Sequence, residues 1–244
     1  MEPFTIIIIG ISLAVGAVGA WASWEKILTA LKGKKIAVLG ARGAGKTTLL
    51  LYLNMINLES LEIEQTRHSK KTRSSSIQDI AVGEESKKIL LKETVDLPGS
   101  EEYRDNGKWK EAFKVADIVL YLVNSAALLR GIDKSNVPNS KIKADEIKSK
   151  TQARVEDDLK NIQRWIKELG GANKYIFIIG NHFDEIDENF NKNDRVEKYE
   201  KEFKENPAIN KHCQRMEKII GSLKDRDNMK DILEQVVNIM EAKP

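Results

Sequence analysis

One cysteine, Cys213, stands in 244 residues, so an internal disulfide is excluded and a reducing compartment fits. Histidine is almost as scarce. Of the three, His68 and His212 lie in polar stretches and form no metal-ligand spacing with Cys213. A large charge excess is missing too: the net charge is only +3, so bulk electrostatics do not imply a nucleic-acid partner. Positive charge sits in mixed runs such as KNIQRWIKEL, the pattern of a solvated helix face. No internal repeat is visible. The length allows one good-sized domain and a short appendage.

Charge is wholly absent from Phe4 to Trp24, in a chain whose charged fraction is 32%. As a helix this stretch rises about 31 Å, enough to cross the hydrocarbon core. Trp21 and Trp24 close it, where amphipathic rings favour the interface. A cleavable signal peptide is the rival, since Ala20-Trp21-Ala22 resembles a cleavage site. Against it, Met1-Glu2-Pro3 carries no basic side chain and the apolar run is long for such a segment. A buried core helix is disfavoured because no polar stripe interrupts the run. Lys26, Lys32, Lys34 and Lys35 follow, which places the bulk of the chain on the cytoplasmic side. Ser12, Gly16 and Ala20 fall at small-xxx-small spacing and could pack a second helix. The expected organisation is an anchor over 1–25, a basic juxtamembrane linker over 26–33, and a domain over 34–244 with an inserted loop at about 130–150.

Within that domain, short apolar runs alternate with longer amphipathic ones. KKIAVLG is a strand ending in glycine, followed by the helix-like TTLLLYLNMINL. Ser74–Val82 and Ile89–Val95 flank a turn at 83–86 and read as a hairpin. Ala116–Asn124 and Lys174–Asn181 are continuous apolar strands, expected where both faces of a sheet are covered. Thr151–Leu169 has helical spacing, and EKIIGSL precedes a closing helix NMKDILEQVVNIM. The pattern predicts an α/β fold, a mostly parallel sheet flanked by helices. Arg130–Lys150 reads as a long polar loop, and Asp187–Asn210 as an exposed helix and linker.

Gly40-Ala41-Arg42-Gly43-Ala44-Gly45-Lys46-Thr47-Thr48 matches GxxxxGK[ST] in full, straight after a strand and opening a helix. Glycines let backbone N–H groups turn toward phosphate oxygens. Lys46 brings a charge to the β- and γ-phosphates, and the Thr47 hydroxyl suits Mg²⁺. Asp96-Leu97-Pro98-Gly99 has the form DxxG at a strand end; Asp96 can hold Mg²⁺ through water and the Gly99 N–H can sense a γ-phosphate. Asn181-His182-Phe183-Asp184 follows another strand. A carboxylate at Asp184 accepts two hydrogen bonds from guanine, whereas adenine presents the reverse pattern at that edge. Ser222-Leu223-Lys224 follows EKIIG, where a backbone N–H can meet the guanine O6.

The order and placement of GARGAGKT, DLPG, NHFD and SLK resemble the G domain of the translation-factor-related P-loop GTPases, the group including Ras and Era. The resemblance covers about Lys34 to Met240. It implies GTP and GDP as ligands, Mg²⁺ as cofactor, and a protein effector or regulator docking on the switch loops. It also implies an Mg²⁺-completing threonine before the second strand, Thr72 or Thr66, with Thr72 nearer that strand. Two departures stand out. His182 replaces the lysine of NKxD, and a flat imidazole can stack on the base in its stead. Ser100 occupies the place of the water-positioning glutamine, so Glu101 or Glu102, or a partner, must supply that group, or turnover is slow. Arg42 either stabilises γ-phosphate charge, obstructs an arginine from a partner, or points to solvent. One span joined to a Ras-like domain is similar in architecture to the β subunit of the signal recognition particle receptor. The expected function is a membrane-anchored GTP switch with Lys46 and Glu101 in catalytic roles. A non-hydrolysing GTP-binding scaffold and an ATP-dependent P-loop enzyme are the alternatives.

Overall fold

Residues 26–27, 29–31, 33–53, 93–96, 99, 107–133, 143–169, 174–186, 193–212 and 216–242 are described by a computed structural model. Among these residues, five strands form one parallel sheet: β1 (Lys35–Gly40), β2 (Glu93–Asp96), β3 (Ile118–Asn124), β4 (Tyr175–Asn181) and β5 (Glu217–Ile220). Their spatial order is β2-β1-β3-β4-β5. Besides helical residues at the start of the described part, eight helices surround them among the described residues: α1 (Lys46–Leu53), α2 (Lys108–Val115), α3 (Ser125–Arg130), α4 (Ala144–Leu169), α5 (Phe183–Ile186), α6 (Asn193–Glu205), α7 (Pro207–Asn210) and α8 (Arg226–Ala242).

Side chains alternate across a strand, so an unbroken apolar run feeds both faces. Ile118, Leu120 and Leu122 of β3 join Leu49 and Leu53 of α1 and Ile232, Leu233 and Val236 of α8 on one face. Val119, Tyr121 and Val123 join Trp109 and Phe113 of α2 and Leu159, Ile162 and Trp165 of α4 on the other. The second face also buries a charged group. Asp158 on α4 is fully buried, accepting from the Tyr121 hydroxyl at 3.1 Å and pairing with Arg154 Nε at 2.9 Å. That guanidinium lies 5.8 Å from the centroid of the Trp109 ring.

Residues 26, 27 and 29–31 are helical, and Ile27 and Leu31 enter the core beside α8. Lys26 donates to Asn238 and pairs with Glu241, each at 2.9 Å. The basic segment is therefore docked on the domain's last helix through its apolar positions, a pairing across the whole chain that composition does not reveal.

The stretch read as a polar loop differs most. Arg130 closes α3, and α4 starts at Ala144, well before the expected Thr151. Gly131 ends α3 with φ 68°, and a Cβ there would lie 2.1 Å from the Ala144 carbonyl oxygen. The left-handed turn thus brings the start of α4 against the end of α3. The charged stretch 187–210 differs too. Tyr199 and Phe203 of α6 and Ile209 of α7 are buried, and Phe203 meets Phe183 edge-on at 5.9 Å. A charged helix with one aromatic stripe packs like any amphipathic helix. Helix α2 was not anticipated, while β3 and β4 match their expected runs closely. The anticipated strand Ser74–Val82 and the segment Phe4–Trp24 lie outside the described residues. Among the described residues, no helix is long and apolar enough to cross a membrane.

Candidate nucleotide site

All five strands run the same way, so their carboxyl ends gather at one edge. Ligands in open parallel sheets bind at that edge, where connections diverge to opposite sides. Here the divergence falls between β1 and β3. The loop after β1 occupies it, with α1 opening at Lys46. Gly40, Gly43 and Gly45 all have positive φ, at 142°, 78° and 94°, the backbone that lets the loop turn back on itself. Arg42 and Thr47 are exposed, and Lys46 is buried.

Three carbonyls of this loop are held from outside it or across it. Lys46 Nζ donates to Ala41 O at 2.9 Å. The Asn181 amide donates from Nδ2 to Ala44 O at 3.1 Å. His182 Nε2 lies 3.0 Å from Gly43 O. In a trans peptide the carbonyl and the following N–H point in opposite directions. Anchoring the Gly43 and Ala44 carbonyls to the β4 end therefore directs the Ala44 and Gly45 N–H groups away from it. There the Ala44 N–H meets Ala41 O at 3.4 Å, a long hydrogen bond that an anion's oxygen can displace. Gly45 cannot be larger, since a Cβ would sit 2.4 Å from Asn181 Nδ2.

The DxxG segment meets the same loop from β2. Asp96 ends β2 in register with Val38 of β1. A Cβ on Gly99 would lie 2.4 Å from both Ala41 C and Arg42 N, so this glycine rests directly on the phosphate-loop backbone. Thr72, Thr66, Glu101 and Glu102 lie outside the described residues. For Mg²⁺, a hydroxyl at Thr47 and a carboxylate at Asp96 are hard oxygen donors on adjoining elements. Among the described residues no group of three or more His, Cys, Asp or Glu could cage a metal. That combination suits a cation that keeps waters and takes its remaining ligands from phosphate.

The expected base-recognition residues converge from β4 and β5. Asn181 and Ser222 are buried, and Asp184 is half-buried. Ser222 donates its hydroxyl to Asp184 Oδ1 at 2.6 Å and accepts from the Lys224 N–H at 3.1 Å. The Leu223 N–H, one of the backbone donors expected near guanine O6, donates to Asn181 Oδ1 at 2.8 Å. Asn181 thus spends its amide joining the phosphate loop to the β5 loop. His182 has φ 66°, an uncommon backbone for a side chain of its size but one that His adopts more readily than most. Its Nδ1 lies 3.2 Å from Glu185 Oε1 on α5. Sequence reasoning did not single out Glu185; a His and a Glu three apart across a helix start were the available signal.

A glycine loop after β1, its lysine, an aspartate ending β2 and an aspartate beyond β4 define a P-loop nucleotide-binding domain of the G type. The sequence profile of the ADP-ribosylation factor family matches residues 22–148, over half of the chain. The chain belongs to that family of small GTP-binding proteins. Among solved structures it is similar to an ADP-ribosylation factor-like GTP-binding protein, small COPII coat GTPase SAR1, from Encephalitozoon cuniculi in complex with GDP. That likeness has 15% identity and TM-score 0.43 and covers 96% of each chain. A GTP-binding protein from Sulfolobus solfataricus in complex with GDP matches at 18% identity and TM-score 0.41, over 97% of this chain and 61% of that one. A variant of SsGBP matches at 16% identity and TM-score 0.44, over 86% of this chain and 55% of that one. This chain therefore spans under two thirds of the length of those last two proteins. No curated protein matches it in sequence.

Proposed function

We propose that this protein is a membrane-anchored GTP switch whose hydrolysis is slow without a partner. The observation that carries the guanine reading is the Asp184 carboxylate, held at one oxygen by Ser222 beside a phosphate loop pinned by Asn181. The reaction is attack of water on the γ-phosphorus of GTP, breaking its bond to the β–γ bridging oxygen and releasing GDP and phosphate. Lys46 offsets charge on the β- and γ-oxygens. Thr47 and Asp96 would hold Mg²⁺, which supplies further charge neutralisation, and Thr72 would complete that set. Glu101 is the nearest candidate to orient water, because Ser100 is too short to do so. The loops holding Thr72 and Gly99 would rearrange when the γ-phosphate leaves, and an effector or regulator would read that change. The charge-free run over 4–24 supports a single span with the domain on the cytoplasmic side.

Ser100 also favours a second reading, a scaffold that binds GTP without turnover. The test titrates GTP, GDP and ATP against the full chain in detergent with Mg²⁺, then follows single-turnover hydrolysis on the same sample. Guanine preference, lost in Asp184→Ala and redirected toward xanthine nucleotides in Asp184→Asn, is the expected result. Equal or tighter ATP binding refutes the guanine assignment, and absence of any turnover selects the scaffold.

A further inference from the structure

Two hydrogen-bond acceptors face the His182 ring. Nδ1 meets a carboxylate oxygen of Glu185 at 3.2 Å, and Nε2 meets the carbonyl of Gly43 at 3.0 Å. A neutral imidazole has one N–H and can satisfy only one of them. Both contacts hold together only when the pair carries one additional proton, with the ring donating from both nitrogens. Glu185 adds to this requirement. Its side chain is 13% exposed, and its second oxygen, Oε2, is buried with no hydrogen-bond partner among the described residues. A carboxylate this poorly solvated gains most from a facing cation.

Glu185 is fixed in that position by the fold. The left-handed turn at His182 starts α5, whose Glu185 N–H returns to the His182 carbonyl at 3.2 Å, while Phe183 is driven into the core. The ring therefore stands between α5 and the phosphate loop with little freedom to leave either.

We propose that Glu185 is a positioning residue for the nucleotide, acting through His182 as a proton-dependent latch on the phosphate loop. With the proton present, the ring donates to Gly43 O and fixes the Gly43–Ala44 peptide, whose N–H closes the loop on Ala41 O at 3.4 Å. With the proton gone, the carboxylate takes the remaining N–H at Nδ1, because a charged acceptor outcompetes a carbonyl. Nε2 then turns a lone pair toward Gly43 O, and the loop loses that tether. Raising the pH loosens the grip on bound nucleotide; lowering it tightens the grip. The other charged groups on the elements around the ring are Arg42 and Lys46 on the phosphate loop, Asp184 on α5 and Lys224 beyond β5. Among these residue types only imidazole ordinarily changes charge between about pH 5 and 8.

The latch rests on the guanine-nucleotide reading, so the experiment separates the two. Release of a fluorescent GDP analogue from the full chain in detergent, with Mg²⁺, is timed between about pH 5.5 and 8. Wild type should release about tenfold faster at the upper end, the effect of one charge-assisted hydrogen bond. Glu185→Gln should release slowly at every pH. Its amide can donate to Nδ1 and leaves the neutral ring free to donate from Nε2 to Gly43 O. His182→Lys should also be slow and flat, since its cation does not titrate in this window. Any titration of the nucleotide itself would persist in both variants and so be recognised. Thermal melts confirm that each variant is folded; if His182→Lys is not, Glu185→Gln decides alone. A wild-type profile equal to that of Glu185→Gln, with GDP bound tightly by both, overturns the latch and leaves the guanine reading intact. Failure of wild type to bind the GDP analogue at any pH overturns both.

Discussion

Asn181 joins two loops that approach from different strands, and its removal should uncouple them. In Asn181→Ala the carbonyl of Ala44 and the N–H of Leu223, bonded at 3.1 and 2.8 Å, both lose their partner in a buried setting. A buried polar group left unpaired costs about 1–3 kcal/mol, so the pair amounts to about 3 kcal/mol after partial relaxation. That is a large share of a stability of about 5–15 kcal/mol. For a domain of this size it corresponds to a melting point lower by about 6–12 °C. Far-UV circular dichroism melts of the full chain in detergent, at saturating GDP and without added nucleotide, would read this. The freed Leu223 N–H becomes available to a base, so GDP should recover part of the loss. Asn181→Asp sharpens the case. A carboxylate still accepts from Leu223 but presents oxygen to the Ala44 carbonyl, and release of GDP should accelerate more than the melting point falls. A drop under about 2 °C in Asn181→Ala, less than 1 kcal/mol on the same scale, refutes the claim that this amide frames the site.

Two further outcomes follow from contacts at the edges of the site. Gly99→Ala forces a methyl against the backbone at Ala41 and Arg42, 2.4 Å away, and neither neighbour is a side chain that can swing aside. Overpacking of this kind costs about 1–3 kcal/mol, so GTP binding measured by calorimetry should weaken about tenfold or more; unchanged affinity sinks the apposition. Arg130 makes a two-pronged pair with Glu202, at 2.5 and 2.7 Å, between α3 and α6. The hydrogen bonds from Arg130 hold the Glu202 carboxyl below its usual range, against a smaller opposing effect of burial. A depressed carboxyl contributes stability above its unfolded value and loses it as pH falls through the folded one. Both side chains are over a third exposed, so solvent screening limits the effect to under about 1 kcal/mol. Arg130→Ala should therefore melt a few degrees below wild type at neutral pH, with the gap closing on the acid side of the normal glutamate range. A gap that widens in acid is the contrary result.

The strands β3 and β4 and the glycine loop were legible because their signals are local. An apolar run of seven residues with no polar break states that both faces are covered, and glycines at fixed spacing before Lys46 and Thr47 state a turn and a helix start. The base-recognition residues were legible as types in order, since Asp184 and Ser222 each follow an apolar strand. What those side chains do with their hydrogen bonds was not legible. Asn181 reads as a base contact, yet its amide faces residues 137 and 42 positions away, Ala44 and Leu223. His182 reads as a stacking ring, yet both nitrogens are aimed at acceptors.

The charged stretches hide buried positions for a related reason. Composition reports average polarity, whereas burial follows the one stripe that faces the sheet. Tyr199 and Phe203 are two residues in a helix of lysines and glutamates, and they suffice to seat α6. The segment 26–31 shows the same effect, with Ile27 and Leu31 turned inward and Lys26 left at the surface. Fold class, phosphate loop and the identity of the groups offered to a nucleotide can be read locally, because strand hydrophobicity and glycine geometry act over a few residues. Which of those groups bind each other is settled in three dimensions. Hydrogen-bond partners are chosen by where parallel strands end in space, and that depends on every connection between them.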